Sequence, residues 1–381
     1  MSPWLVLVPI GVLLGFLTFL WHRLAVAPGW GRRSVPYAVG LVLLALTAML
    51  LAGFDLWGGR LSPALMRPGV WVGQAFLASW LYLFLGLVPV WLTCVLIWLV
   101  RWRHDHGRVA RRALNRVASP LVAVAAVGVT AYGAVEAAHP SVSQFEVTSA
   151  SLPAEFDGTR VALVTDIHAG AVRSAGFTRG VVELVNAQDP DLVLIAGDLV
   201  DGTAARYAPE IAPLAGLRAP LGVFATIGNH EVYRDTANWV RTFEGLGLSV
   251  LRNTSIPLER GGATITLAGV NDLEGDGDFA PDTAAALAGV DPDAFTLLMA
   301  HQPLQAVSLD GRGVDLQVSG HTHGGQMWPL EHLVTLQQPM LEGLARIGDV
   351  SVVTSRGIGA WGPAIRVAAP PEVPIITLRR S

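Results

Sequence analysis

Four long apolar runs near the start of the chain limit its fold more than any other feature: Trp4 to Trp21, Pro36 to Phe54, Trp71 to Val100, and Val117 to Val135. A helix of roughly 20 apolar residues crosses a hydrocarbon core about 30 Å thick. Inside that core only helices and closed barrels satisfy their backbone polar groups. None of the runs contains a charged residue; the fourth is richer in Ala, Gly and Val, and Glu136 comes only after it. The sequence therefore predicts four transmembrane helices, at about 4–21, 36–54, 71–100 and 117–135, in a membrane domain of residues 1–140. Trp4, Trp21, Trp57, Trp71, Trp98 and Trp102 fall near the run ends, where interfacial aromatic belts lie. The first run has no basic n-region before it and further spans follow it, which argues against a cleaved signal peptide.

The arginines orient these spans. Arg101, Arg103, Arg108, Arg111, Arg112 and Arg116 lie between the third and fourth runs, against Arg60 and Arg67 between the second and third, and Arg23, Arg32 and Arg33 between the first and second. Cytoplasmic loops carry the excess of basic residues, so the first and third loops are assigned to the cytoplasm. Four crossings then put both ends of the chain, and the domain after the last run, on the extracytoplasmic face of the cell membrane. The Arg-rich third loop is read as a topology signal beside anionic lipid. With a net charge of −4, no specific nucleic-acid partner is expected.

All 26 basic residues are Arg. Without Lys, Schiff-base chemistry and a P-loop are excluded. The single Cys, Cys94, sits inside an apolar run, so neither a thiolate metal site nor an intramolecular disulfide is available.

Residues 141–381 have a different character, with short β-branched runs alternating with helical segments. Val161–Thr165, Leu192–Ala196 and Val223–Ile227 read as buried strands. Phe177, Val181, Leu184 and Val185 recur at helical spacing between the first two, and Pro209 to Leu217 supplies a second helix. This βαβαβ order implies an α/β domain with a parallel sheet and crossover helices. Later strands are expected at Thr264–Val270, Phe295–Ala300, Leu316–Ser319, Val350–Thr354 and Ile375–Leu378, and need a second sheet.

Five of these strands end in polar clusters: Asp166-Ile167-His168, Gly197-Asp198-Leu199-Val200-Asp201, Gly228-Asn229-His230-Glu231, His301, and Gly320-His321-Thr322-His323. Ligands in open α/β sheets bind outside the carboxyl ends of the strands. One Asp or Asn after a strand is ordinarily a turn or cap residue; five clusters in succession exceed what capping explains. Imidazole, carboxylate and amide donors without thiolate suit Mn, Fe or Zn, whereas carboxylates alone would favour Mg. A carboxylate can bridge two cations about 3.5–4 Å apart, the arrangement that clamps a phosphoryl group and acidifies a water to hydroxide. Asp198 is the central carboxylate on this reading.

The succession D-x-H, GD, GNH, a lone H and GHxH resembles the calcineurin-like metallophosphoesterase superfamily over about residues 145–380. Gly320–Gln326 (GHTHGGQ), with Gly357-Ile358-Gly359 and Pro370-Pro371-Glu372, is similar to the bacterial YkuE- and YaeI-type branch. The resemblance implies a mixed α/β (α+β) fold, a four-layer αββα sandwich here preceded by four transmembrane helices. It implies one metal held by Asp166, His168, Asp198 and His323, and a second by Asp198, Asn229, His301 and His321. It also implies that His230 acts beside the scissile phosphate, as general acid or charge stabiliser for the leaving group. Purple acid phosphatases carry a Tyr ligand three residues after the bridging Asp. This chain has Asp201 there, expected to orient a ligand instead.

The expected activity is metal-dependent hydrolysis of a phosphomonoester, phosphodiester or pyrophosphate, with lipid-linked or cell-envelope phosphates as the substrates that location suggests. The alternatives are a non-catalytic metal-binding or signalling module, which loss of Asp198, Asn229 or His230 would favour, and a transporter, which calls for intramembrane charges. Asp272, Glu274, Asp276 and Asp278 lack EF-hand spacing and are read as a solvated turn. Arg356 and Arg366 are kept as candidate phosphate contacts without an assigned role. His22, His104, His106, His139 and His332 fall outside the motifs.

Overall fold

The computed structural model describes residues 4–52, 62–101 and 105–381, in two compact units that divide between Tyr132 and Gly133. The first unit is helical. Helix α1 (Trp4–Trp21) runs into a π-helical turn (His22–Val26), and α2 (Ser34–Ala52), α3 (Pro63–Arg101) and α4 (Asp105–Ala137) follow. Leu20, Leu43, Phe76, Leu83, Leu87 and Ala126 form its core. Gly73 of α3 lies directly on the backbone of Leu50 in α2, the close approach that small residues allow between membrane helices. Outward-facing Leu41, Leu44 and Leu96 are 60–70% exposed, which suits lipid rather than water.

Among the described residues three helices, rather than the expected four, are long and apolar enough to cross a membrane: Ser34–Ala52, Pro63–Arg101 and His106–Ala137. The first run forms an apolar 18-residue α-helix, and Ile10–Val26 counts among the described residues as a shorter apolar helix. Helix α3 exceeds its apolar run, with 39 residues and a rise of about 58 Å. Phe54, Trp57, Arg60, Trp102, Arg103 and His104 lie outside the described residues.

The second unit contains twelve strands: β1 (Ser141–Ser149), β2 (Arg160–Val164), β3 (Leu192–Ala196), β4 (Val223–Thr226), β5 (Ser249–Val250), β6 (Thr254–Arg260), β7 (Ala263–Gly269), β8 (Thr296–Met299), β9 (Leu316–Ser319), β10 (Gly343–Ile347), β11 (Val350–Thr354) and β12 (Glu372–Arg380). They form two six-stranded sheets, ordered β1-β12-β2-β3-β4-β5 and β10-β11-β9-β8-β7-β6. Strands β2 to β5 are parallel, as are β7, β8, β9 and β11. Strand β12, expected in the second sheet, joins the first instead, parallel to β1 and antiparallel to β2.

Alternation along the strands divides the core. Val161, Leu163, Leu192 and Leu194 face Leu267, Leu297, Leu316 and Val318 between the sheets. Ala162, Val164, Val193 and Ile195 face the helices α5 (Ala175–Asn186), α6 (Ala204–Ile211) and α8 (Thr236–Gly245), which also bury Val185, Ile211, Trp239 and Phe243. The short helix α7 (Asn229–Arg234) precedes α8. The expected helix at Pro209 to Leu217 is divided between the end of α6 and a 3₁₀ turn, Ala212–Gly216. On the outer face of the second sheet, Ala268, Leu298 and Val352 are covered by only the short turns around Ala286 and Ala306. The layers are therefore αββα with one thin outer layer.

Candidate metal centre

Five strand ends deliver the polar residues. Strand β2 runs into Asp166 and His168, β3 into Asp198, β4 into Asn229 at the start of α7, β8 into His301, and β9 into His321 and His323. Asp166 (φ 58°), His168 (49°), Asp198 (54°), His321 (71°) and His323 (53°) all take left-handed backbone conformations without being glycine. Each such residue costs about 1–3 kcal/mol and persists where its surroundings over-determine it. Those surroundings are visible: His321 N donates to the Asp166 carboxylate at 3.1 and 3.2 Å, and His230 N donates to Asp198 Oδ1 at 2.8 Å. A β-carbon at Gly228 would collide with Asp198 Oδ1, and one at Gly320 with Asp166 Oδ2. Glycine is required at both positions for the chain to pass.

All seven residues singled out as ligands converge here, in two groups that meet at Asp198. In one group, His323 Nε2 lies 3.4 Å from Asp166 Oδ1 and 3.1 Å from His168 Nε2, and His168 Nε2 lies 3.8 Å from Asp198 Oδ2. In the other, Asp198 Oδ2 lies 3.2 Å from His301 Nε2, which is 3.1 Å from Asn229 Oδ1. His321 Nδ1 is 2.9 Å from the same amide oxygen. One ligand atom each from Asp166, His168 and His323 fall within 4.8 Å of one another, as do those from Asp198, His301 and His321.

Imidazoles are the only ion-pair partners of these two buried carboxylates among the described residues, for no Arg pairs with Asp166 or Asp198. Taking an ion out of water without a charged partner costs several kcal/mol. Burial accordingly pushes the Asp166 carboxyl up, while Asp198, subject to the same burial, is held low by His301. Burial disfavours charge on His301 as well, yet Asp198 and Asp166 raise it well above the usual histidine range. Burial and the charge of His301 lower His321 to about 3; burial and Arg366 keep His323 neutral. This donor set fits divalent cations, since carboxylate oxygens, an amide oxygen and imidazole nitrogens all turn toward common points.

Three surrounding residues hold these groups in place. Asp201 Oδ1 accepts from His168 Nδ1 at 2.9 Å, as expected, and also from His230 Nδ1 at 2.6 Å. Burial opposes a proton on His230, but this hydrogen bond and the charge of Asp198 push it up to about 9. Glu231 accepts from the backbone N–H of Asp198, Leu199 and Gly228 at 2.8–3.0 Å, and burial, then the Asp198 charge, raise it to about 8. Its role was missed in the sequence, although its place three residues after Gly228 is a helix-capping signal. Arg366 is fully buried and donates to the carbonyl oxygens of His323 (2.6 Å), Arg356 (2.7 Å) and Gly359 (2.7 Å). It is a loop tie rather than a phosphate contact. Arg356 is paired with Glu372 at 2.7 Å. Asp272 is buried against Gln302, whereas Glu274, Asp276 and Asp278 are exposed.

Comparison with known proteins agrees with this geometry. The family described as calcineurin-like phosphoesterase matches residues 159–325. An uncharacterized metallophosphoesterase of Helicobacter pylori is 38% identical over 223 residues, covering 58% of this chain and 59% of that protein. A transmembrane protein with metallophosphoesterase domain from Danio rerio is 33% identical over 295 residues, covering 74% of this chain and 67% of its own length. The uncharacterized metallophosphoesterase YkuE of Bacillus subtilis is 28% identical over 245 residues, covering 62% of this chain and 85% of that protein. The chain thus spans about three fifths of the length of the Helicobacter relative.

Proposed function

The chain belongs to the calcineurin-like phosphoesterase family, and on that premise we propose that it is a membrane-anchored hydrolase of phosphate esters that uses two divalent metal ions. The observation that carries this is the meeting of two donor groups at Asp198 Oδ2, which lies 3.8 Å from His168 Nε2 and 3.2 Å from His301 Nε2. Asp166, His168, Asp198 and His323 would hold one ion, and Asp198, Asn229, His301 and His321 the other. Mn, Fe or Zn suits this nitrogen-rich set better than Mg. When bound, such a pair neutralises phosphoryl oxygens and acidifies a water toward hydroxide.

The remaining work falls to side chains of this unit. His230 donates its Nδ1 proton to Asp201, and its Nε2 has no partner among the described residues. That Nε2 proton is free to serve a leaving-group oxygen or a phosphoryl oxygen. Asp201 also orients His168, accepting from its Nδ1 through the same oxygen.

The substrate is a phosphomonoester, phosphodiester or pyrophosphate, and an anchored enzyme favours one carried by a lipid or an envelope polymer. On a reading in which α1 crosses as well, the Arg distribution supports a catalytic domain, residues 141–381, outside the cytoplasm. Support comes from the first unit, where Arg23 and Arg108 to Arg112 gather on one side. Metal-loaded full chain, assayed on mono- and diester reporters and then on envelope lipids, tests the activity. Asp198→Asn and His230→Ala should each abolish most turnover, and unchanged rates in both would refute the assignment. A reporter fused after Ser381 should report an extracytoplasmic location; a cytoplasmic signal overturns the orientation.

A further inference from the structure

We propose that the helical first unit binds the phosphate headgroup of an anionic phospholipid, in a cavity between the π-helical turn, α3 and α4. The cavity has a volume of about 430 Å³ and is lined by four guanidinium groups, those of Arg23, Arg108, Arg111 and Arg112. No acidic side chain among the described residues lines it, and none pairs with any of the four. Like charges gathered around a space at the edge of the hydrocarbon core repel one another strongly. An anion in that space would relieve the repulsion.

Arg23 points to a ligand most directly. It is only 4% exposed, and its partners are neutral: Nη2 donates to Asn115 Oδ1 and lies 3.7 Å from Cys94 Sγ. Its Nε is buried with no acceptor at all. Asn115 offers no compensating charge, and its Nδ2 is already committed to the Arg111 carbonyl at 2.6 Å. A buried charge without a charged partner is costly, so a ligand of opposite charge would stabilise it. The planar guanidinium fork matches phosphate, with two parallel N–H groups for two oxygens.

The remaining wall indicates a lipid as the source of that phosphate. Trp91 and Trp98 of α3 line the same cavity, two helical turns apart on one face, and are 44% and 48% exposed. Indole rings favour the headgroup level of a bilayer, and they offer the upper part of an acyl chain an apolar surface. Basic pockets between membrane helices bind anionic headgroups in this way. The Arg residues come from the two loops that the basic bias assigns to one face, so the lipid belongs to the leaflet on that face.

Native mass spectrometry of the delipidated full chain in detergent tests the proposal. The probes are phosphatidylglycerol, phosphatidylcholine with the same acyl chains, and inorganic phosphate. We expect a phosphatidylglycerol adduct that phosphatidylcholine does not reproduce, weakened about fivefold for each Arg removed. Arg23→Gln tests the buried contact and Arg23→Lys should keep part of the affinity. The double change Arg108→Gln/Arg112→Gln lies on the exposed rim and keeps the test valid if Arg23→Gln does not fold. Equal binding of the two lipids, or of phosphatidylglycerol to wild type and the rim variant, overturns the proposal. Full displacement of the lipid by millimolar inorganic phosphate would make this a soluble-anion site and overturn the lipid assignment.

Discussion

His168 and His230 donate to one and the same oxygen, Asp201 Oδ1, at 2.9 and 2.6 Å from their respective Nδ1 atoms. The shared acceptor fixes the proton on Nδ1 in both rings. In His168 this turns an Nε2 lone pair toward Asp166, Asp198 and His323; in His230 it leaves Nε2 at the accessible side of the site. A single carboxylate thereby couples the order of a candidate ligand to that of the candidate acid.

Asp201→Asn should therefore impair both at once. Outer partners of ligating imidazoles are worth about 10–100-fold in metal affinity or activity. Metal titration and turnover of a diester reporter on the same preparation check this. A variant with both quantities intact would make the shared hydrogen bond incidental.

Metal content should respond differently to different ligand changes. Wild type should carry about two ions per chain, as two-metal hydrolases do. Asn229→Ala should retain about one, whereas Asp198→Asn should retain less than that, because Asp198 serves both groups. Elemental analysis after gel filtration reads the stoichiometry directly. Equal losses in both variants would contradict a shared Asp198.

Chelation should lower thermal stability as well as activity. Without cations, Asp166 and Asp198 are two buried carboxylates whose only ion-pair partners among the described residues are imidazoles. Ligand linkage at a hundredfold excess over Kd is worth about 3 kcal/mol. Melting curves of the full chain with a chelator, and after Mn or Zn is restored, measure the difference. A Tm that ignores the chelator would mean that the imidazoles alone balance the carboxylates.

Glu231 is expected to matter through the backbone. Its carboxylate receives N–H groups from both the loop after β3 and the turn after β4. Glu231→Ala leaves three buried donors without an acceptor, which costs about 3 kcal/mol or more. Glu231→Gln should recover only part of this, since the amide nitrogen repels a donor. Tm values of the two variants, with wild type, decide whether the contact supports the fold; indistinguishable values would show that it does not.

The candidate site was legible in the sequence because its residues follow short apolar strands with glycines between them. The spacing of Gly197-Asp198 and Gly228-Asn229 survives in the structure as one loop packed on another, with His301 Nδ1 2.8 Å from where a Gly197 β-carbon would stand. Other parts depend on distant partners that local patterns do not encode. Strand β1, SVSQFEVTS, has a mostly half-exposed edge and no apolar run. Arg366 looks like any surface Arg until loop closure buries it among carbonyl groups from His323, Arg356 and Gly359. The first membrane run is helical over its whole length, and the π-turn at His22 and Arg23 that follows it leaves no mark in the apolar pattern.

The position of β12 has a consequence for how the domain is made. This late strand lies between β1 and β2, aligning Ser141 with Glu372 on one side and Val161 with Ile376 on the other. During translation β1 emerges long before its neighbour β12, with ten strands between them in the chain. The seam between β1 and β2 therefore stays open until β12 emerges, while the membrane helices are already inserting. Stalled chains that lack Glu372 onward should be cut readily by added protease, and chains that extend past Arg380 should resist it.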